Sequence, residues 1–328
     1  MKKRENLFRA LVMLLILALS LVFVYSVVRV ADKFFTPVNS GGGSTTVSKT
    51  IVKDGVEYFP RQDITVLMLM GIDRSGAVEG SGSYNNDGAA DMVALAIFDE
   101  TAKAVNVLML NRDTVVEMPV LGLNGQQAGT AYAQLALAHT QGSGLRDSCE
   151  NVLSAVSTLL HGVEIDHYLS MNMDTVALLT DAVGGVKVTV TEDFSAVDPT
   201  IPMGEVTLNG KQAFNFVQNR KGVGSQMNVS RMERQKSYIN GFMEALEGKL
   251  KSGSFVSDTY AEIENYIVSN TSATGLNSIL NRYADYTLNE IITPEGENKN
   301  VDGYMEFHVD EEKLTDLTLR LFYSEKNI

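Results

Sequence analysis

The sequence predicts an α/β fold: a single α/β/α sandwich domain with a central mixed sheet, preceded by one N-terminal transmembrane helix. Three observations support this prediction. Three short apolar runs between positions 64 and 110 have the length and composition of buried strands. Segments of helical and strand character then alternate along the chain, as in sheets covered by helices on both faces. A long uncharged run stands near the N-terminus.

The N-terminal run sets the expected location of the protein. Residues 10–28 carry no charge and are long enough to cross the hydrocarbon core of a bilayer as a helix. Basic residues at positions 2, 3, 4 and 9 precede the run, so the positive-inside rule places residues 1–9 in the cytoplasm. A cleaved signal peptide is the alternative, but residues 28–31 form a poor cleavage site. We expect a retained signal anchor over residues 10–30, hence a single-pass protein of the cell membrane with an extracellular C-terminal domain.

A linker and one large domain are expected to follow. Residues 31–60 include Gly41-Gly42-Gly43-Ser44-Thr45-Thr46, which is typical of a flexible tether. The chain has 328 residues, of which 45% are hydrophobic, so residues 61–328 can bury a large core as one extracytoplasmic domain.

Charge and cysteine content exclude several classes of function. The formal net charge is −13, yet the first 35 residues carry six basic and two acidic residues, which leaves −17 on the remainder. Such an acidic body repels nucleic-acid phosphate, so we expect no nucleic-acid partner. Cys149 is the one cysteine, which rules out an internal disulfide, and the sequence has no clustered His/Cys metal motif.

Charged residues appear where the three predicted strands, at 64–70, 92–98 and 104–110, meet loops. Ligands of open α/β sheets bind at strand ends. Carboxylates suit magnesium, and guanidinium groups suit phosphate. The pattern therefore predicts a site for a magnesium-bound phosphate, although the same residues could merely cap turns or pair on the surface. The predicted rim consists of Asp73, Arg74, Asp91, Arg112 and Asp113.

The rest of the chain alternates predicted helices and strands. Apolar periodicity predicts helices over 130–141, 148–160, 174–182, 212–217 and 230–250, and strands over 167–171 and 186–190. In the tail, helices are expected over 260–268, 276–286 and 311–322, a strand over 304–309 and a charged loop over 293–303.

Two arginines at the start of the long predicted helix suggest an anion site. Arg231 and Arg234 are three residues apart and so share one face of the first turn. The helix N-terminus already carries partial positive charge, which makes cations unfavourable there unless an anion is bound. Exposed arginines paired with Glu233 are the alternative.

These motifs together resemble the LytR-CpsA-Psr family of bacterial cell-envelope proteins, whose members have a transmembrane anchor and an extracytoplasmic α/β domain. The resemblance covers a motif core at residues 64–250. The matching segments, in order, are Gly71-Ile72-Asp73, Ala89-Ala90-Asp91-Met92-Val93, Asn111-Arg112-Asp113-Thr114, Gly184-Gly185-Val186, Leu208 to Ala213 with Gln218-Asn219-Arg220, and the spaced set Asn228, Arg231, Arg234 and Gln235.

The resemblance implies a phosphotransferase that attaches a polyprenyl-pyrophosphate-linked glycopolymer, of teichoic acid or capsule type, to peptidoglycan through a phosphodiester bond. Asp73 and Asp91 would hold Mg²⁺ on the pyrophosphate. Arg112 would be catalytic, with Asp113 acting as a base or orienting Arg112. The implied phosphate-binding residues are Arg112, Arg220, Arg231, Arg234 and Gln235, and we expect Arg74 to bind phosphate as well. Lipid-linked glycan, peptidoglycan and the cell membrane are the implied partners.

Three departures mark the chain as a divergent member of the resembled family. Ala89 and Gln218 stand where the family pattern has arginine, and Asn228 stands where it has aspartate. We expect Arg74 to supply a substitute cation, because it follows Asp73 directly. The alternative is a non-catalytic, membrane-anchored protein that binds lipid-linked glycan or peptidoglycan.

Overall fold

The computed structural model describes residues 50–219, 222–223, 228–247, 249, 259, 262–271, 282–283 and 286–325. The anchor predicted over residues 10–30 and most of the predicted linker lie outside these residues. Within the described ranges, no helix is both long and apolar enough to cross a membrane.

Short strands and five helices alternate along the described chain. The strands are β1 (Ile51–Lys53), β2 (Val56–Pro60), β3 (Ile64–Ile72), β4 (Ala90–Asp99), β5 (Ala104–Leu110), β6 (Val115–Leu121), β7 (Gln127–Gln134), β8 (His167–Asn172), β9 (Val186–Val190), β10 (Gly204–Leu208), β11 (Ile267–Ser269), β12 (Thr287–Ile292), β13 (Gly296–Val301), β14 (Tyr304–Val309) and β15 (Tyr323–Glu325). The helices are α1 (Arg146–Leu159), α2 (Met173–Val183), α3 (Gly210–Gln218), α4 (Asn228–Glu247) and α5 (Glu311–Phe322). Leu135–Gln141 and Glu264–Tyr266 are 3-10 helices.

The central sheet is mixed, which confirms the predicted fold class for the described domain. Its strand order is β11-β8-β3-β4-β5-β12. β4 runs antiparallel to both β3 and β5, whereas β8 and β12 run parallel to their neighbours β3 and β5. The remaining strands form small sheets: β1-β2-β15 and the pairs β6-β7, β9-β10 and β13-β14.

Helices cover both faces of this sheet because the side chains of a strand alternate between faces. Leu67 and Leu69 of β3 belong to the core cluster that includes side chains of α2, α3 and α4. Met68 and Met70 belong to the opposite cluster, which includes side chains of α1 and α5. Two hydrophobic cores therefore sandwich the sheet.

Several predicted elements are confirmed with the same bounds, and three others are corrected. β5, β9, β14 and α5 match their predictions. The helix predicted over 130–141 is wrong, because residues 127–134 form β7 and only Leu135–Gln141 is helical. The loop predicted over 293–303 contains β13, which joins β14 through Asp302 and Gly303 at φ values of 51° and 89°, as in a tight hairpin turn. Of the helix predicted over 260–268, residues 262–266 are helical, with Glu264–Tyr266 as a 3-10 turn, but Ile267–Ser269 forms β11. Most of 276–286 lies outside the described residues.

Candidate active site at the rim of the sheet

The antiparallel pairing of β3, β4 and β5 brings three loop junctions to one rim. Ile72 at the end of β3 pairs with Ala90 at the start of β4, and Leu110 at the end of β5 pairs with Val93. Gly71 pairs with Met92, so the register shifts by one residue and Asp91 occupies a bulge. Bulges are common beside active sites, where they redirect a side chain.

Asp91 is the centre of the rim. Its side chain is buried, with the residue 4% exposed. The Nη1 atom of Arg112 pairs with Oδ1 of Asp91, and Nη1 of Arg231 lies 2.7 Å from Oδ2. Nη2 of Arg231 also donates to the backbone oxygen of Asp91 at 3.1 Å. One buried carboxylate therefore holds two guanidinium groups, one from the turn after β5 and one from the first turn of α4.

Asp113 lies against Arg112 from the other side. It is 2% exposed, and its Oδ1 lies 3.3 Å from Nε of Arg112 and 3.4 Å from Nε2 of Gln134. Its backbone oxygen accepts from the N–H of Phe307 at 2.8 Å, which ties the turn to β14. Asp91, Asp113 and the two guanidinium groups carry balanced charge, which suits burial of paired ions.

Asp73 is the exposed carboxylate of the rim. Its Oδ1 accepts from Nε2 of Gln218 at 2.9 Å, and its backbone N–H donates to the oxygen of Ala89 at 2.8 Å. Both positions where the resembled family has arginine therefore contact Asp73, and both are neutral in this chain.

Arg234 and Gln235 point to the end of α3. Nε of Arg234 donates to the oxygen of Phe216 at 2.8 Å, and its Nη2 donates to the oxygen of Asn219. Nε2 of Gln235 donates to the oxygen of Val217 at 3.3 Å. These are the free carbonyl groups of a helix C-terminus. Burial lowers the pKa of Arg234, although its ion pair with Glu192 opposes that shift. The two residues hold the helix end that carries Gln218.

Arg74 lies apart from Asp91. Its Nε is 3.5 Å from Oδ1 of the exposed Asp87, and its Nη1 is 3.5 Å from the oxygen of Glu79. The structure therefore places Arg74 against the 75–88 loop, while Arg112 and Arg231 converge on Asp91. Arg220 lies outside the described residues, and so does the side chain of Asn228.

The 75–88 loop, which joins the two rim aspartates, is fixed by the buried histidine His139, which no sequence motif singles out. Nδ1 of His139 lies 2.6 Å from the oxygen of Gly88, and Nδ2 of Asn86 donates to the oxygen of His139 at 2.8 Å. Burial is the main cause that lowers the pKa of His139 to about 4. The neutral imidazole therefore belongs to the folded state.

We expect acid to destabilise the protein through His139. The pKa of an unfolded histidine is about 6.5, so between pH 6.5 and 4 the unfolded state binds more protons than the folded state. The free energy of unfolding should fall by up to about 3 kcal/mol across that range, because each unit of pKa difference corresponds to about 1.4 kcal/mol. Denaturant titrations at several pH values measure this slope. His139→Asn, which keeps a side-chain N–H donor, should show a shallower slope; equal slopes would contradict the assignment.

We expect Asp73 and Asp91 to hold a magnesium ion that shares its coordination with phosphate. Because both oxygens of Asp91 pair with guanidinium groups, the ion would displace at least one of them. Mg²⁺ commonly takes one or two carboxylates, with substrate phosphates and water completing the shell. Asp73 and Asp91 provide two carboxylates at neighbouring strand ends. In the described part of the chain, no group of three or more His, Cys, Asp or Glu side chains could hold a metal by itself. A metal at this rim would therefore depend on phosphate oxygens.

A family model and several relatives match most of the chain. The LytR_cpsA_psr family matches residues 32–322. The polyisoprenyl-teichoic acid–peptidoglycan teichoic acid transferase TagU of Bacillus licheniformis is 24% identical over 277 residues, covering 84% of this chain and 82% of its own. The protein of the same name from Oceanobacillus iheyensis is 26% identical over 315 residues, covering 93% and 88%.

Solved structures show the same fold. Protein gbs0355 from Streptococcus agalactiae has a TM-score of 0.65 at 22% identity, covering 79% of this chain and 86% of that one. TagV of B. subtilis has a TM-score of 0.59 at 21% identity, covering 80% and 96%. With a family match that spans nearly the whole chain, this protein belongs to the LytR_cpsA_psr family.

Proposed function

We propose that this protein is a phosphotransferase that attaches a polyprenyl-pyrophosphate-linked glycopolymer, of teichoic acid or capsule type, to peptidoglycan. The observation that carries the proposal is the buried carboxylate of Asp91 between the guanidinium groups of Arg112 and Arg231. Guanidinium forks bind phosphate oxygens as they bind carboxylate oxygens. The names of the TagU relatives, teichoic acid transferases acting on peptidoglycan, support the same reaction class.

In the proposed reaction, a hydroxyl oxygen of peptidoglycan attacks the phosphorus next to the glycopolymer. A phosphodiester bond forms, the P–O bond to the second phosphate breaks, and polyprenyl phosphate leaves, while the hydroxyl proton passes to the leaving phosphate or to water. Such reactions depend mainly on positioning and charge stabilisation. Arg112 and Arg231 would bind the phosphate oxygens. The contact of Asp113 with Nε of Arg112 supports an orienting role more directly than a role as base.

Asp73 and Asp91 are the residues that would hold Mg²⁺. When bound, the ion would neutralise negative charge on the pyrophosphate. Phosphate-binding roles for Arg74, Arg220, Arg234 and Gln235 stay predictions. The contacts of Arg234 and Gln235 with the end of α3 support an indirect contribution, through the placement of Gln218 beside Asp73.

Release of polyprenyl phosphate tests the proposal. Full-length protein in detergent would be incubated with a polyprenyl-pyrophosphate glycan and peptidoglycan, with Mg²⁺ or with EDTA. We expect polyprenyl phosphate and glycan-modified peptidoglycan only with Mg²⁺. A second candidate, a non-catalytic binder, is favoured by the neutral amide of Gln218 at Asp73. Tight donor binding without any release of polyprenyl phosphate would support that second candidate.

The proposed location is the outer side of the cell membrane, with residues 1–9 in the cytoplasm, an anchor at 10–30, a linker at 31–60 and the catalytic domain at 61–328. Protease added to intact protoplasts should therefore digest the domain. A cytoplasmic marker protein serves as the control for membrane integrity. Protection of the domain in sealed protoplasts, with digestion only after lysis, would contradict this topology.

A further inference from the structure

A groove of about 850 Å³ with mixed polar and apolar lining lies among α4, the β9-β10 hairpin and β12. One wall is a stripe of α4, and the other is the edge strand β12 at Leu288–Ile291. The hairpin contributes Lys187, Val188, Thr189 and Glu205 to the lining. The six α4 residues of the stripe are Glu233, Lys236, Ser237, Asn240, Gly241 and Glu244.

The spacing of the stripe residues explains why they share the groove. They recur every three or four residues and therefore occupy one face of the helix. The core-facing side of α4 instead carries Arg231, Arg234 and Phe242. Gly241 allows α4 to approach β9 closely, because a Cβ at this position would overlap the backbone oxygen of Lys187. One face of α4 therefore carries Arg231, which contacts the rim, and another face lines the groove.

The groove begins beside the candidate active site. Arg231 contacts Asp91, and Glu233 lines the groove two residues later. Between them, Met232 packs with Ala94 and Met109 of the sheet in a small cluster that Ile291 of β12 also contacts. From Glu233 to Glu244 the helix rises about 16 Å, at 1.5 Å per residue. A chain lying in the groove would therefore extend away from the rim along α4.

The chemistry of the lining selects against an anionic occupant. Four glutamates and two lysines line the groove. Lys187 pairs with Glu205 at 3.0 Å, Lys236 with Glu233 at 2.7 Å and Glu290 with Arg320 at 2.6 Å. Both lysines of the described lining are therefore already paired, and Glu244 adds a negative charge that disfavours a phosphate-rich polymer. The hydroxyl and amide groups of the lining can both donate and accept hydrogen bonds. Such groups match the hydroxyl and acetamido groups of an uncharged glycan.

We propose that this groove binds the acceptor of the reaction, the N-acetylated glycan backbone of peptidoglycan, and presents its hydroxyl group to the rim. This inference rests on the proposed function. The charge of the lining disfavours the anionic glycopolymer donor in the same groove, so we expect the donor to reach the rim from another side.

Blocking the groove tests the inference. Asn240→Trp on α4 and Asn289→Trp on β12 each place a large ring on an exposed lining position of one wall. Ser154→Trp, at an exposed position of α1 on the other side of the sheet, is the matched control. Affinity for peptide-free peptidoglycan glycan chains would be measured by calorimetry on full-length protein. Affinity for farnesyl pyrophosphate would be measured on the same samples.

We expect at least tenfold weaker binding of glycan chains by both groove variants, unchanged binding by the control, and unchanged binding of farnesyl pyrophosphate by all three. Unfolding transitions identify any variant that fails to fold. If one groove variant does not fold, the glycan affinity of the other groove variant tests the inference. If the groove variants still bind farnesyl pyrophosphate and bind glycan chains as tightly as the wild type does, the groove does not hold the acceptor. The proposed function would be unaffected by that result. If the groove variants instead lose affinity for a glycerol-phosphate polymer, the occupant of the groove is the anionic polymer and not the peptidoglycan glycan. Wild-type protein that binds neither probe would remove the proposed function itself.

Discussion

Asp91→Ala should lower the free energy of unfolding by about 3–5 kcal/mol, the usual cost of removing one partner of a buried ion pair. Two buried guanidinium groups, those of Arg112 and Arg231, would lose the carboxylate that they share. Equilibrium denaturation at neutral pH measures the change. Inorganic pyrophosphate should stabilise the variant more than it stabilises the wild type, because an added anion can replace the missing carboxylate between the two arginines.

Asp73→Ala is the matched control for this experiment. Asp73 is exposed and lies at the neighbouring strand end, so its removal should change the free energy of unfolding by no more than about 0.5 kcal/mol. Under the proposed function, both variants lose Mg²⁺-dependent release of polyprenyl phosphate. An Asp91→Ala protein as stable as Asp73→Ala would show that the buried carboxylate does not hold the arginines together.

The rim residues could be predicted from the sequence because each of them directly follows or begins a strand that the local sequence pattern reveals. β5 is apolar except for Asn106 and ends at Leu110, and Asn111, Arg112 and Asp113 follow at once. Consecutive strands usually pair with each other, so the strand-end residues Asp73, Asp91 and Arg112 could be placed together before the pairing was known. The shared contact of Arg112 and Arg231 with Asp91 could not be predicted in the same way, because it depends on where α4 packs on the sheet.

The sequence pattern does not reveal strands β7 and β13, and the physical reason differs between the two. In β7, Ala131 stands four residues before Leu135 and two before Ala133, so it matches both a helical and an alternating pattern, and pairing with β6 decides in favour of a strand. β13 is exposed along its whole length, so it has no apolar periodicity to reveal it; the Asp302-Gly303 pair was its one local signal. The direction of Arg74 was also beyond local reasoning, because it depends on the path of the chain after β3 ends.

Arg112→Ala should combine a large loss of stability with a large loss of ligand affinity. The substitution removes the guanidinium group between the buried carboxylates of Asp91 and Asp113. We expect the free energy of unfolding to fall by about 3–5 kcal/mol at neutral pH. Arg112→Ala/Asp113→Asn should recover part of this loss, because the double variant also removes one of the two buried charges. A double-mutant cycle on denaturation free energies measures the coupling.

Ligand binding by the same variant decides which arginine supplies the cation at the rim. A lost charge-assisted contact in a desolvated site costs about 2–5 kcal/mol, so affinity for farnesyl pyrophosphate should fall about 30-fold or more in Arg112→Ala. Arg74→Ala removes only a partly exposed pair with Asp87, and its stability should change by less than about 1 kcal/mol. If Arg74 substitutes for the missing family arginines, Arg74→Ala should abolish binding as well, and Ala89→Arg should partly restore it. Unchanged affinity in Arg74→Ala, with a loss in Arg112→Ala, would instead assign the phosphate contacts to the arginines that converge on Asp91.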